Sequence, residues 1–372
     1  MQLKIYKSFD RELESIWVEF EKTAIGTPFQ YYNWLSHWQA TVGRPLYSIE
    51  PYIITVKNNE QVLAIIPLGI RRSMGISILE WIGGINADYM GFLFHSEWIW
   101  KYNDFHKLWK EILDNLPAFD LIHLQRQLNK IRGFDNPFAN QFTRPHNTKS
   151  YQTTLEPSWD NHYQTRLKKK IRADSRRQRH RLEQLGQLQF LVAEKRKQKS
   201  EIIKVMMQQK SHRYQDTGVW NMLAVPEYQK FYIGLANLNY DHNKVHCSAL
   251  LVDKIMIATH VGLVDRDTFY YTMPAHKGGD WKRFSSGRLL LENLMEWSIE
   301  NNLKYFDFTV GEELYKKIWC DTETQLFETL QSITLKGRIY ILSEYLKRHI
   351  KQIPWVVQKH RAIKNWIQLS IK

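Results

Sequence analysis

Cysteine is nearly missing from this chain, which has only Cys247 and Cys320 among 372 residues. That scarcity excludes a disulfide framework and a cysteine-rich zinc site, and it fits a reducing compartment. No run of about 18 apolar residues is free of charge, so no membrane-spanning helix is expected. The start, MQLKIYKSFDRELESIWVEF, lacks the continuous apolar core of a signal peptide, and a cytoplasmic protein is expected. Acidic residues are outnumbered, with 38 Asp and Glu against 52 Lys and Arg and a formal net charge of +14, so an anionic partner is expected. A nucleotide, a nucleic acid or a lipid headgroup would each answer to that charge. The chain is 43% hydrophobic and holds 14 tryptophans, a composition that excludes a disordered basic tail and supplies real cores.

The order of elements is α+β and is repeated. In the first half the apolar periodicity predicts helices over 10–24 and 31–42. The strands YIITV, VLAIIPLGIR, ISILEWIG and GFLF follow, then a helix over 104–116 and the strand FDLIHLQ. In the second half VHCSALLV, IMIATHVGLV and TFYYTMP predict three antiparallel strands, followed by a long helix from Gly287 and the strand YFDFTVG. Two lobes of similar plan are expected, 1–148 and 149–335, with a basic amphipathic segment, 336–372, after them. That last segment carries nine Lys or Arg against the single acid Glu344, interleaved with Ile339, Leu342, Leu346, Ile350, Trp355 and Trp366. It suits either a helix at an anionic membrane interface or a helix packed on the second lobe. Residues 166–183 hold nine more basic residues, readable as a solvated helix face or a contact for a polyanion.

The stretch RFSSGRLLLENLMEWSIENN, 283–302, places Arg283, Ser285, Ser286, Gly287 and Arg288 at the start of an amphipathic helix whose Leu290, Leu291, Leu294 and Trp297 face inward and whose Glu292, Glu296 and Glu300 face elsewhere. A serine there can cap the helix. The free N–H groups of the first turn, the helix dipole and two flanking arginines suit a phosphate or pyrophosphate. The first-lobe counterpart, HSEWIWKYNDFHKLW, has no glycine and no basic pair, so the first lobe reads as a degenerate copy without this site.

PFQYYNWLSHWQATVG, AIIPLGIRR followed by WIGGINADYMGF, ATHVGLVDRDTFYYTMPA and FSSGRLLLENLMEWSIENNLKYFDFTVGEELYKKIW resemble the CelD/BcsL-type acetyltransferases, a branch of the GNAT superfamily of N-acetyltransferases related to the FemABX peptidyltransferases. The resemblance runs from about residue 5 to 340 and is most specific over 281–319. It implies a tandem pair of acetyltransferase lobes, with acetyl-CoA or another acyl-CoA as co-substrate in the second lobe and no metal. Where the family pattern has a Tyr-Asp pair this chain has Ala275 and His276, and Ser-Ser-Gly replaces Ser-Pro-Gly at the helix start. By the same resemblance Glu312, Tyr315, Lys316 and Trp319 belong to the site end of the second lobe, and Tyr315 is a candidate general acid for a leaving thiolate.

Acyl transfer also needs a base. His260, in a strand apolar on both faces, is either that base or a hydrogen-bonded core histidine. Asp307, inside a strand, is either catalytic or salt-bridged to a basic residue in 283–288, and Asp120 is its expected counterpart in the first lobe. Asp88 and Tyr89, after the Gly83–Gly84 turn, are expected to contact the acceptor. His242 and His246 lack a third ligand, so no metal site is expected. Three functions compete: acyl-CoA-dependent transfer to an amine or hydroxyl of a small molecule or cell-envelope precursor; aminoacyl transfer from charged tRNA; and a non-catalytic module that binds a polyanion or a protein. The first leads. Acyl-CoA, its acceptor and an anionic membrane are the expected partners, and nucleic acid is not.

Overall fold

A computed structural model describes residues 1–97, 102–139, 143–238 and 243–352. Part of the first-lobe HSEWIWKYNDFHKLW stretch, His242, and the tail with Trp355 and Trp366 lie outside the described residues. The first half runs β1 (Gln2–Tyr6), α1 (Arg11–Glu21), α2 (Tyr32–Trp38), α3 (Arg44–Tyr47), β2 (Glu50–Asn58), β3 (Gln61–Ser73), β4 (Ile76–Trp81), β5 (Leu93–Phe94), α4 (Tyr102–Asp114) and β6 (Leu121–Gln127). A small hairpin, β7 (Lys130–Ile131) and β8 (Phe134–Asp135), leads into β9 (Thr143–Thr154). After α5 (Trp159–Arg166) and α6 (Lys169–Glu183) the plan returns as β10 (Leu188–Val192), α7 (Arg196–Thr217), α8 (Pro226–Leu235), β11 (Asn243–Val252), β12 (Ile255–Asp265), β13 (Thr268–His276), α9 (Ser286–Glu300) and β14 (Tyr305–Val310). The chain then continues through α10 (Lys316–Trp319), β15 (Thr322–Ser332) and α11 (Leu335–Gln352).

In both halves three antiparallel pairings are followed by a helical crossover and one parallel pairing, β4 with β6 and β13 with β14. The expected tandem pair of α+β lobes is thus present. The final strands, however, are exchanged. The sheet order β6-β15-β9-β14 places β15, the last strand of the second half, beside β6, and β9, the last strand of the first half, beside β14. Residue 148, the boundary expected from the sequence, falls within β9.

The lobes also share a core. Trp17, Phe29, Trp34 and Trp38 of the first pack in one cluster with Ile202, Met206, Tyr228 and Phe231 of the second, and Trp34 meets Phe231 edge to face at 5.1 Å. Arg132 Nη2 donates to Asp265 at 2.7 Å and Tyr31 Oη donates to the same carboxylate at 2.9 Å, so charge and hydrogen bonds cross the seam as well. Separate apolar clusters lie beneath α4 and α9 on the other face of the sheet.

Glu292 faces away from the apolar side of α9 and is still buried, at 1% exposure, because α6 covers that side and Ser175 Oγ donates to its carboxylate at 2.5 Å. One expectation needs correcting. Asp120 is not the counterpart of Asp307. The parallel registers align Tyr270 with Asp307 and Glu80 with His123, whereas Asp120 precedes β6 and accepts bonds from Ser77 N and Thr334 Oγ1.

Candidate functional site

β13 and β14 pair only at Thr268–Tyr305, Phe269–Phe306 and Tyr270–Asp307. Beyond that point β13 runs on to His276, while Thr309 takes a left-handed φ of 57° that bends β14 and lets its Oγ1 donate to Tyr271 C=O at 3.3 Å. The parting opens a cavity of about 380 Å³, a size suited to a small ligand. Tyr271, Tyr315 and Trp319 line it, and Ser285, Ser286, Gly287 and Arg288 close one end. Arg213 of α7 and Lys282 add positive charge at the wall. Nothing local in the sequence marks Arg213, because 196–217 reads as an ordinary polar helix.

At the helix start Ser285 does not cap through its hydroxyl. It adopts a left-handed φ of 53°, and its carbonyl accepts from the amides of Arg288 and Leu289. Ser286 Oγ donates to Ile257 C=O at 3.3 Å. Among the described residues no protein acceptor meets the amides of Ser286 and Gly287, so these first-turn N–H groups are free and that of Arg288 is not. A Cβ at Gly287 would meet His276 Cδ2 at 3.5 Å, an ordinary contact, so a side chain there is not blocked by the fold. The Arg288 guanidinium pairs with Asp174 of α6 yet keeps a buried Nε without a partner. Free amides, an unspent guanidinium N–H and a helix N-terminus of 15 residues are the chemistry a pyrophosphate needs. Arg283 lies outside this lining, its guanidinium over the Phe284 ring at 5.0 Å.

The Tyr315 hydroxyl faces that of Tyr271, and burial raises its pKa above the ordinary tyrosine range. Trp319 is buried and stacks on His162 at 6.1 Å. Lys316 is buried too, donating to Val310 C=O at 2.7 Å and pairing with Glu313 at 3.1 Å, while Glu312 is exposed.

His260 is not brought to this cavity. It is fully buried, stacked on Tyr271 at 4.6 Å and 7°, with neither ring nitrogen bonded, and burial drives its pKa well below 6.5. His246 lies 6.1 Å away and is held neutral by burial with a pKa near 3, and no metal-binding group forms among the described residues.

Asp88 and Tyr89 separate onto two further cavities. Asp88 lines one of about 190 Å³ on the opposite side of β13, with Trp34 and Asn86 of the first lobe and Lys210, Tyr214 and Tyr232 of the second. Lys210 Nζ donates to Pro274 C=O at 3.0 Å, and burial, reinforced by Arg213, brings its pKa down to about 8. Burial raises the Asp88 carboxyl, against the pull of Arg126. Tyr89 Oη donates to both Asp307 oxygens, at 2.8 and 3.0 Å, at the wall of a polar cavity of about 620 Å³ between the lobes. Among the described residues Asp307 forms no ion pair with an arginine. Burial pushes its carboxyl up to about 7 even though Tyr89 and the Thr309 amide stabilise the anion.

Residues 169–317 match the acetyltransferase (GNAT) domain family. No curated protein matches the chain. Among solved structures the chain is similar to FemX, with a TM-score of 0.61, 10% identity and coverage of 92% of this chain and 99% of that one. It is also similar to L-PGS from Bacillus licheniformis, with a TM-score of 0.52, 13% identity and coverage of 92% and 98%. A Bacteroides thetaiotaomicron protein of unknown function gives a TM-score of 0.52 at 10% identity, covering 90% and 100%. At such identities the likenesses establish the fold alone. The matched domain spans the parted strands and the start of α9, and the protein is an acyltransferase.

Proposed function

We propose that the protein transfers an acyl group, in the first instance acetyl, from coenzyme A to an amine or hydroxyl of a small molecule or cell-envelope precursor. This gives the CelD/BcsL resemblance its chemical content. The observation that carries the reading is the pair of cavities on opposite sides of β13 where it parts from β14: one ends in free amides and cations, the other gathers Asp88 and Lys210. Ser286, Gly287 and Arg288 would hold the pyrophosphate, with Arg213 and Lys282 as outer charges. Asp88 would hold the acceptor.

Lys210 is a better base than His260 on geometry, because it lines the acceptor side and His260 does not. The acceptor nitrogen or oxygen attacks the thioester carbonyl, its proton passes to Lys210, the C–S bond breaks, and the departing thiolate takes the Tyr315 proton. Tyr89 and Asp307 sit behind this as a buried pair that fixes the bend of β14. Gly287→Val tests the reading at its root. It should weaken acetyl-CoA binding about tenfold or more, about 1.4 kcal/mol, with thermal stability little changed. Calorimetric titration decides it. Unchanged affinity removes the seat from α9, and binding of charged tRNA without binding of acyl-CoA replaces acyl transfer by aminoacyl transfer.

A further inference from the structure

The helix α11 sits with its apolar side outward. Leu335, Ile339, Leu342 and Leu346 recur at helical spacing on one face and are 73%, 59%, 56% and 59% exposed. The opposite face is the one that packs. A Cβ at Gly337 would lie 2.0 Å from the Asp120 carbonyl oxygen, so only glycine lets the helix come down on the start of β6. The first turn is pinned there as well: Ile333 N donates to Asp120 C=O at 2.8 Å, and Thr334 Oγ1 accepts from Gly337 N while donating to Asp120 Oδ1 at 2.6 Å. The orientation is therefore held by the cap and the glycine contact, and it presents leucines to water at a cost that a partner surface would remove.

The sequence indicates which surface. Residues 336–372 carry nine Lys or Arg and one acid, and exposed Lys336 and Arg338 flank the stripe. We infer that the outward face of α11 docks on an anionic phospholipid surface, with Leu335, Ile339, Leu342 and Leu346 entering the acyl boundary and Lys336 and Arg338 meeting the headgroups. A neutral apolar partner would leave those charges unanswered.

This inference does not rest on the acyl-transfer reading, and its test is read without activity. Full-length protein is sedimented with vesicles of phosphatidylcholine and phosphatidylglycerol in equal parts, and with vesicles of phosphatidylcholine alone. The mixed vesicles should carry the protein down, less so at raised salt, and pure phosphatidylcholine should carry far less. Ile339→Glu with Leu342→Glu should lower binding to mixed vesicles about tenfold or more while leaving the melting temperature and acetyl-CoA titration unchanged. Lys336→Glu with Arg338→Glu should reduce the preference for mixed vesicles and leave the apolar face intact. Binding that survives the first pair of substitutions, absence of binding by the unaltered protein, or a lipid-free dimer that the same pair dissociates would each overturn the inference, the last by assigning the face to a second copy of the chain.

Discussion

Individual side chains set the protonation chemistry of this fold. Lys210 and Asp307 are both pushed toward neutrality by burial, one down to about 8 and the other up to about 7. If Lys210 is the base, the turnover rate should rise as pH passes through about 8, and Lys210→Met should lower kcat by about two orders of magnitude and leave acetyl-CoA affinity intact. A pH–rate profile unchanged by the substitution would remove it from the chemistry. Asp307 makes a prediction about stability. Its folded pKa lies above the 3.8 of an ordinary aspartate, so the folded state keeps a proton that the unfolded chain releases. The stabilisation is whole below about 4 and is lost as pH rises through about 7, above which both states are ionised. Asp307→Asn keeps an acceptor for Tyr89 and the Thr309 amide, so denaturant melts between those limits should lose that slope. A slope as steep as before would mean that Asp307 ionises normally.

Among the elements, α9 and α6 work as one unit. Glu292 receives Ser175 Oγ at 2.5 Å and lies 3.6 Å from Arg179, while Asp174 braces Arg288 at the mouth of the cavity. Glu292→Ala strands both partners and should cost about 1–3 kcal/mol, read as a lower melting temperature. Acetyl-CoA should bind more weakly in the same variant, because α6 no longer holds Arg288. Unchanged affinity would separate the brace from the site. The periodicity of 283–302 made α9 legible, and its serine-glycine start lies at one end of the cavity, but periodicity puts Glu292 on the polar side and is blind to what packs there. The setting of His260 was hidden for a related reason. Apolar neighbours in sequence say that a side chain is buried, and only the three-dimensional stack on Tyr271 tells that it is buried away from the cleft. Lys210 and Arg213 carried no local signal at all, since their roles come from where α7 crosses β13.

For the molecule as a whole, the repeated strand-helix-strand order was legible because each lobe's pairings up to β6 or β14 are between near neighbours in sequence. The exchange of β9 and β15 was not, since no pattern within a strand names a partner in the other half. The exchange ties the lobes into one cooperative body. Far-UV circular dichroism and tryptophan fluorescence should report a single coincident unfolding transition, and a fragment of residues 155–372, which lacks β9, should not fold. A cooperative transition in that fragment would show that the lobes are independent. The same exchange sets a clock on synthesis. Gln127 of β6 is paired with Phe327 of β15, 200 positions later in translation. While the ribosome makes the second lobe, the first must wait with an open strand edge, the kind of edge that recruits other chains. Yield should then depend on how quickly the final stretch emerges, so slowing translation between β6 and β15 should raise the aggregated fraction without altering the finished protein.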